Sequence, residues 1–238
     1  PLGLALDTTS QMLYVAETLN RAIRRIDLAK GAVTTLSYLG PESLDGPSGL
    51  ALDGTRLFVA DADDDVVVEI DLQKAQISLV AGQVDTPGTE DGVGPKAAFN
   101  TPTGVGLDGR GNLYVADNQA STVRRVALAS SAVSTIAGSP NVVMHTDGVG
   151  EMAYFSHPFA VTANDLGDLF VSDTNSNAVR HMDLGDGAVT TVIGSADAPG
   201  VRLGILPAQL ALPSAVALAP TGSLLVVSEN SVLIAHGP

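Results

Sequence analysis

Short apolar runs alternate with polar turns along the whole chain. Within most runs, apolar and small or polar side chains also alternate residue by residue. One set reads Leu13-Tyr-Val-Ala-Glu17, Leu57-Phe-Val-Ala-Asp61, Leu113-Tyr-Val-Ala-Asp117 and Leu169-Phe-Val-Ser-Asp173. A second reads Ala22-Ile-Arg-Arg-Ile-Asp-Leu28, Val66-Val-Val-Glu-Ile-Asp-Leu72, Thr122-Val-Arg-Arg-Val-Ala-Leu128 and Ala178-Val-Arg-His-Met-Asp-Leu184. A third is Ala32-Val-Thr-Thr-Leu36, Gln76-Ile-Ser-Leu-Val80, Ala132-Val-Ser-Thr-Ile136 and Ala188-Val-Thr-Thr-Val192. Runs this short, rich in Val, Ile, Leu and Thr and of period two, predict β-strands. Gly109-Arg-Gly-Asn112 and Gly185-Asp-Gly187 supply turns between them. No segment holds a helical apolar period long enough for a packed helix, so the chain reads as all-β.

The runs recur in register. Each group is preceded by a further strand of the form Pro-x-small-apolar-small-apolar. It reads Pro1-Leu-Gly-Leu-Ala-Leu-Asp7, Pro47-Ser-Gly-Leu-Ala-Leu-Asp53, Pro102-Thr-Gly-Val-Gly-Leu-Asp108, Pro158-Phe-Ala-Val-Thr-Ala-Asn164 and Pro213-Ser-Ala-Val-Ala-Leu-Ala219. Successive starts lie 46, 55, 56 and 55 residues apart. Periods in this range belong to stacked units or propeller blades. Small side chains on one face of the leading strand suit a crowded inner position around an axis. The expected architecture is a β-propeller of four-stranded antiparallel blades forming one domain, 1–238. Four blades are full, at 1–46, 47–101, 102–157 and 158–212, and a fifth is partial, at 213–238.

These residues resemble the NHL repeat family. The resemblance rests on Pro-x-Gly-Leu-Ala-Leu-Asp, then Leu-Tyr-Val-Ala-Asp, then Asn-x-x-Ile-Arg-Arg-Ile. The first unit carries it from Pro1 through Asn20, Arg24 and Ile26, and the fourth carries Asn175, Asn177 and Arg180. The connector Asp91-Gly-Val-Gly-Pro-Lys-Ala-Ala-Phe99 recurs as Asp147-Gly-Val-Gly-Glu-Met-Ala-Tyr-Phe155 and is similar to a subgroup of NHL blades with long connections. The second unit departs from the pattern, with Val68 and Glu69 at the two Arg positions, and the fifth is degenerate around Ser228. The resemblance implies a six-bladed ring, which needs more than a blade beyond this chain. With no initiator Met and no signal-peptide pattern at Pro1, the chain is expected to be a piece of something longer or a processed form.

Composition narrows the chemistry. The 238 residues hold 12 Lys and Arg against 26 Asp and Glu, a net charge of −14, with no Cys and no Trp. There is no disulfide framework and no thiolate metal site. The charge argues against nucleic acid, whose phosphates are held by Lys and Arg. The most apolar stretch, Leu203 to Ala219, is interrupted by Gly204, Pro207, Gln209 and Pro213, short of the roughly 20 apolar residues of a spanning helix.

Three sets of side chains could act. The acids ending the second strands (Glu17, Asp117, Asp173) face the Arg residues of the third strands (Arg24, Arg124, Arg180), and blade ion pairs are the expectation. The second unit instead holds Asp61, Asp63, Asp64 and Asp65 without the Arg: a solvated acidic turn, a site for a protein partner, or a candidate Ca²⁺ site without EF-hand spacing. The long connectors Gln83–Thr101, Ser139–His157 and Ser195–Leu212 share the face of these loops, and Phe99, Tyr154 and Phe155 are expected to plug the gaps between blades. His145, His157 and Asp147 would need to converge to make a metal site. No nucleophile elbow is present. The expected function is a non-catalytic interaction or scaffold module whose loops hold a protein partner or neighbouring domain. The alternative, taken from propellers of similar kind, is a metal-dependent lyase or lactonase-type hydrolase using the channel.

Overall fold

A computed structural model describes residues 1–196, 198–202, 204, 208–219 and 221–236. Leu203 and Pro207 of the apolar stretch, and Pro238 at the end of the fifth unit, lie outside them. The first sheet is β1 (Leu4–Asp7), β2 (Met12–Glu17), β3 (Ala22–Asp27) and β4 (Ala32–Thr35). The second is β5 (Pro47–Asp53), β6 (Arg56–Asp61), β7 (Val66–Asp71) and β8 (Gln76–Gly82). The third holds β9 (Gly92–Val93), β10 (Pro102–Leu107), β11 (Asn112–Asp117), β12 (Thr122–Ala127) and β13 (Ala132–Ala137). The fourth holds β14 (Gly148–Val149), β15 (Pro158–Ala163), β16 (Asp168–Asp173), β17 (Ala178–Asp183) and β18 (Ala188–Gly194). The fifth is β19 (Pro213–Leu218), β20 (Leu224–Ser228) and β21 (Ser231–Ala235).

Each sheet is an antiparallel meander, so the chain is a β-propeller arc of five blades. Two blades depart from the four-stranded expectation. The Gly-Val pairs of the connectors, β9 and β14, add a fifth strand outside β13 and β18. The outer edges of these blades are therefore covered by backbone pairing, which removes an open ladder. Among the described residues no helix is long and apolar enough to cross a membrane.

The inner strands β1, β5, β10, β15 and β19 pack side by side in chain order around a cavity of about 500 Å³. Small residues permit this approach. A Cβ on Gly49 would meet the Thr103 carbonyl oxygen at 2.6 Å, and one on Gly104 the Phe159 carbonyl oxygen at 2.5 Å. The core lies in the seams between blades. Leu57, Val59 and Ile70 of the second blade pack on Tyr14 and Ile23 of the first. The opposite face of the second blade, Phe58 and Val67, packs on Leu113 and Val115 of the third. The seam between third and fourth repeats this with Tyr114, Val123, Leu169 and Val171. At the ends of the arc the corresponding faces are open: Leu4, Leu6 and Val33 of the first blade and Val232 and Ile234 of the fifth are exposed. The structure therefore shows five blades and two free apolar faces, and does not itself show a six-bladed ring.

Candidate functional site

In the second to fifth blades the last residue of the second strand anchors the connector that leads into its own blade. Asp61, Asp117 and Asp173 are fully buried, as is Ser228 at the same place in the fifth blade. Each accepts the backbone N–H of the residue two before the inner-strand proline. The distances are 3.0 Å from Asp45 to Asp61, 2.7 Å from Asn100 to Asp117, 2.7 Å from Ser156 to Asp173 and 2.9 Å from Ala211 to Ser228 Oγ.

In the third and fourth blades an arginine bolts this anchor to the connector. Arg124 donates to Asp117 Oδ2 at 2.9 Å and to the carbonyl oxygens of Ala98 and Glu90 at 3.0 Å each. It also donates to Asp91 Oδ1 at 2.8 Å, and its guanidinium lies 5.2 Å from the Phe99 ring centre. Arg180 repeats every contact with Asp173, Tyr154, Thr146, Asp147 and Phe155. One fork thus binds two carboxylates and two carbonyls while stacking on an aromatic face, a task for which Lys lacks the geometry. Burial pushes Asp117 up to about 7 against the pull of Arg124, and burial likewise raises Asp173. Phe99 and Phe155 fill the blade seams, whereas Tyr154 is half-buried and takes part through its backbone.

The first blade holds a reduced version. Arg24 donates to Glu17 at 2.6 Å and to the Thr35 hydroxyl, with Asn20 also donating to Glu17 at 3.1 Å. The second blade has Val68 at the arginine position. Both Asp61 oxygens are met by backbone amides instead, Gly46 at 2.6 Å and Asp45 at 3.0 Å, and burial raises its pKa to about 6 with Asp64 adding to the shift.

The acidic run of this blade divides in two. Asp61 anchors the connector, and Asp65, in the left-handed region at φ 57°, accepts the Thr101 N–H at 2.8 Å. Asp63 is exposed and Asp64 is buried but for an edge. Burial raises the Asp64 pKa, followed by the charges of Asp45, Asp85 and Asp63. Arg21 sits against this group, 2.5 Å from Asp45. Asp45 and Asp85 come from the connectors on either side of the blade, and no local pattern in the sequence groups them with Asp63. The His residues are separate: His157 Nδ1 lies 2.9 Å from the Asn175 amide, His145 is exposed, and Asp147 is taken by Arg180. Among the described residues no three His, Asp or Glu are grouped to hold a metal ion.

No family model matches the chain. The chain is similar to NHL repeat-containing protein 2 of Homo sapiens, 26% identical across 97% of this chain and 38% of that protein. It is equally similar, at 26%, to protein SUPPRESSOR OF QUENCHING 1, chloroplastic, of Arabidopsis thaliana, across 99% of this chain and 24% of that one. The blade repeats are similar to those of these NHL-type relatives. It spans roughly a quarter to two fifths of the length of these relatives. Among solved structures a putative gluconolactonase superposes with a TM-score of 0.67 at 13% identity, across 99% of this chain and 73% of that one, a likeness of fold.

In this propeller the central cavity is lined mainly by the inner strands, with Leu225 and Val227 of β20 beside them. Its polar side chains are hydroxyls, Ser48, Thr103, Thr162 and Ser214, and the described lining contains no ionisable side chain. Thr103 Oγ1 is spent on the Phe159 carbonyl at 2.8 Å. The clasp of the connector acids Asp91 and Asp147 by Arg124 and Arg180 is the part of the site that strand patterning missed. The repeated Asp-Gly-x-Gly-x-x-Ala-x-Phe motif was their signal.

Proposed function

We propose that this chain is a non-catalytic interaction module that presents a rigid acidic face to a basic protein partner. The reading is carried by the group Asp45, Asp63, Asp64 and Asp85, two carboxylates from the turn between β6 and β7 and one from the connector on each side, of which the Asp45 connector is tied to the sheet by the buried Asp61. Loops held in place lose little conformational freedom on binding, and like charges gathered on one face attract a cationic surface. A channel without an acid or base in its described lining supports this reading over a lyase or lactonase, since either chemistry needs a group to move protons. The same proposal sees the arc as part of a six-bladed ring in which a further blade covers the apolar outer faces of the first and fifth blades. A fluorescent oligoarginine peptide tests the acidic face. It should bind at low salt and be released at high salt, and Asp63→Asn with Asp85→Asn should weaken it severalfold. Equal binding by the double variant would move the site elsewhere.

A further inference from the structure

The acidic group of the second blade contains one carboxylate that the fold does not need. Asp64 is only 7% exposed, and its carboxylate meets no hydrogen-bond donor among the described residues. It stands three residues after the acid that ends the second strand. At the same place the third blade has Ala120 and the fourth Ser176, both buried, and the first has Asn20. A small neutral side chain therefore suffices to fill the position. A buried carboxylate without a cation or donors disfavours the folded state. Burial and the charges of Asp45, Asp85 and Asp63 all oppose the ionised form of Asp64, and only Arg21 offsets them.

Contacts of the backbone hold these groups together. The Asp85 N–H donates to the Asp64 carbonyl at 3.1 Å, which pins the connector leaving the blade to the turn. The Asp45 N–H donates to buried Asp61 at 3.0 Å, which pins the connector entering it. Asp63 lies over Gly46, where a Cβ would meet its Cγ at 2.5 Å. Arg21, reaching over from the first blade, touches Asp45 and leaves the other three acids without a salt bridge. Among the described residues no three of these acids are grouped to hold a metal ion. The molecule itself shows which group spans a buried acid and a connector acid. Arg124 reaches buried Asp117 through Nη1 at 2.9 Å and Asp91 of the connector through Nη2 at 2.8 Å, and Arg180 does the same with Asp173 and Asp147. A planar fork of five N–H donors suits this task, whereas an ammonium is a point charge. The second blade has Val68 in place of that arginine.

We propose that Asp64 and Asp85 form the seat for a single arginine side chain of the basic partner. The guanidinium bridges the buried acid of the turn and the exposed acid of the connector, while Asp45 and Asp63 hold negative charge around it. The inference rests on the acidic face proposed above and narrows it from a cationic surface in general to one head group. Lysine answers the charge but does not fork between both acids. The seat also accounts for Asp64, whose carboxylate is unmatched in the free protein and matched in the complex.

The test uses the 238-residue chain and two fluorescent peptides of equal length and charge, read by anisotropy at low salt. One is made of lysines with an arginine at its centre, the other of lysines throughout. The arginine peptide should bind at least about fivefold more tightly. Asp64→Asn should bring the two affinities together. Asp85→Asn should do the same, and its exposed place on the connector spares the fold. Asp53→Asn removes an equal charge at the turn between β5 and β6 and should leave the difference intact. Equal binding by the two peptides, both weakened by Asp63→Asn with Asp85→Asn, keeps the acidic face and overturns the arginine seat. A preference for arginine that survives Asp64→Asn and Asp85→Asn overturns it too. So does Ca²⁺ that displaces both peptides at a concentration where Mg²⁺ does not, which would give the seat to a metal ion. If neither peptide binds, the acidic face itself falls and the seat with it.

Discussion

The second and third blades solve one problem in two ways. Both bury an aspartate at the end of the second strand and use it to hold the connector that enters the blade. The third adds Arg124, which spans from that aspartate to the far end of the connector. The second has Val68 there, and two backbone amides take both Asp61 oxygens. In these two blades the third-strand residue goes with the type of connector that enters the blade. At both places where an Asp-Gly-x-Gly connector runs back over the sheet, an arginine clasps it. A short one crosses directly and needs only amides, leaving the arginine position to pack as core.

The comparison breaks most severely if the third blade tolerates the residue of the second. Arg124→Val should cost about 3–5 kcal/mol in urea unfolding, because Asp117 remains buried without its cation. A loss below about 1 kcal/mol would mean that amides alone suffice in both blades. Next in size is the pH response of the second blade. The folded pKa of Asp61, about 6, lies above its ordinary 3.8. Its protonation therefore stabilises the fold fully below about pH 4, and that contribution is lost as pH rises through about 6. The share is roughly 3 kcal/mol at most. Asp61→Ser, which borrows the residue of the fifth blade, should flatten the fall in stability over this window in urea melts taken at several pH values. An unchanged slope removes Asp61 from the account. A smaller effect separates the two ends of the bolt. Asp91, half-exposed where Asp117 is buried, should lose only about 1 kcal/mol on change to Asn, seen as faster hydrogen exchange confined to residues 88–99. The smallest is at the turn of the second blade, where Lys74 pairs with Asp71 at the surface. Lys74→Ala should leave the unfolding midpoint unchanged.

Most of the fold could be read from the chain because a blade is a local object. Strand, turn and strand follow one another, and the period-two pattern at Leu57–Asp61 or Leu113–Asp117 is written in the residues that form them. The acid and arginine of one blade were equally visible, being seven residues apart on adjacent strands. What the pattern did not carry is how connectors return to the sheet. Gly92-Val93 has no strand signature, and becomes a strand only because β13 offers an edge. Asp61 and Asp63 look alike in sequence, yet one is buried and the other exposed, since strand geometry turns them to different surroundings. Asp45 and Asp85 lie far from that loop along the chain, and only the arc brings them beside it.

The buried anchors also redefine what can be moved as a piece. Counted from proline to proline, the third repeat runs from Pro102 to His157 and ends with a connector that serves the next blade. Arg124, however, grips residues 90, 91 and 98, ahead of its own inner strand. The self-sufficient cassette for grafting or recombination is therefore shifted upstream, from about residue 88 to Ala137, with its successor running from about residue 144 to Gly194. A chimera spliced at the prolines would separate each arginine from the connector it was matched to. One spliced just after the outer strand would carry lock and key together.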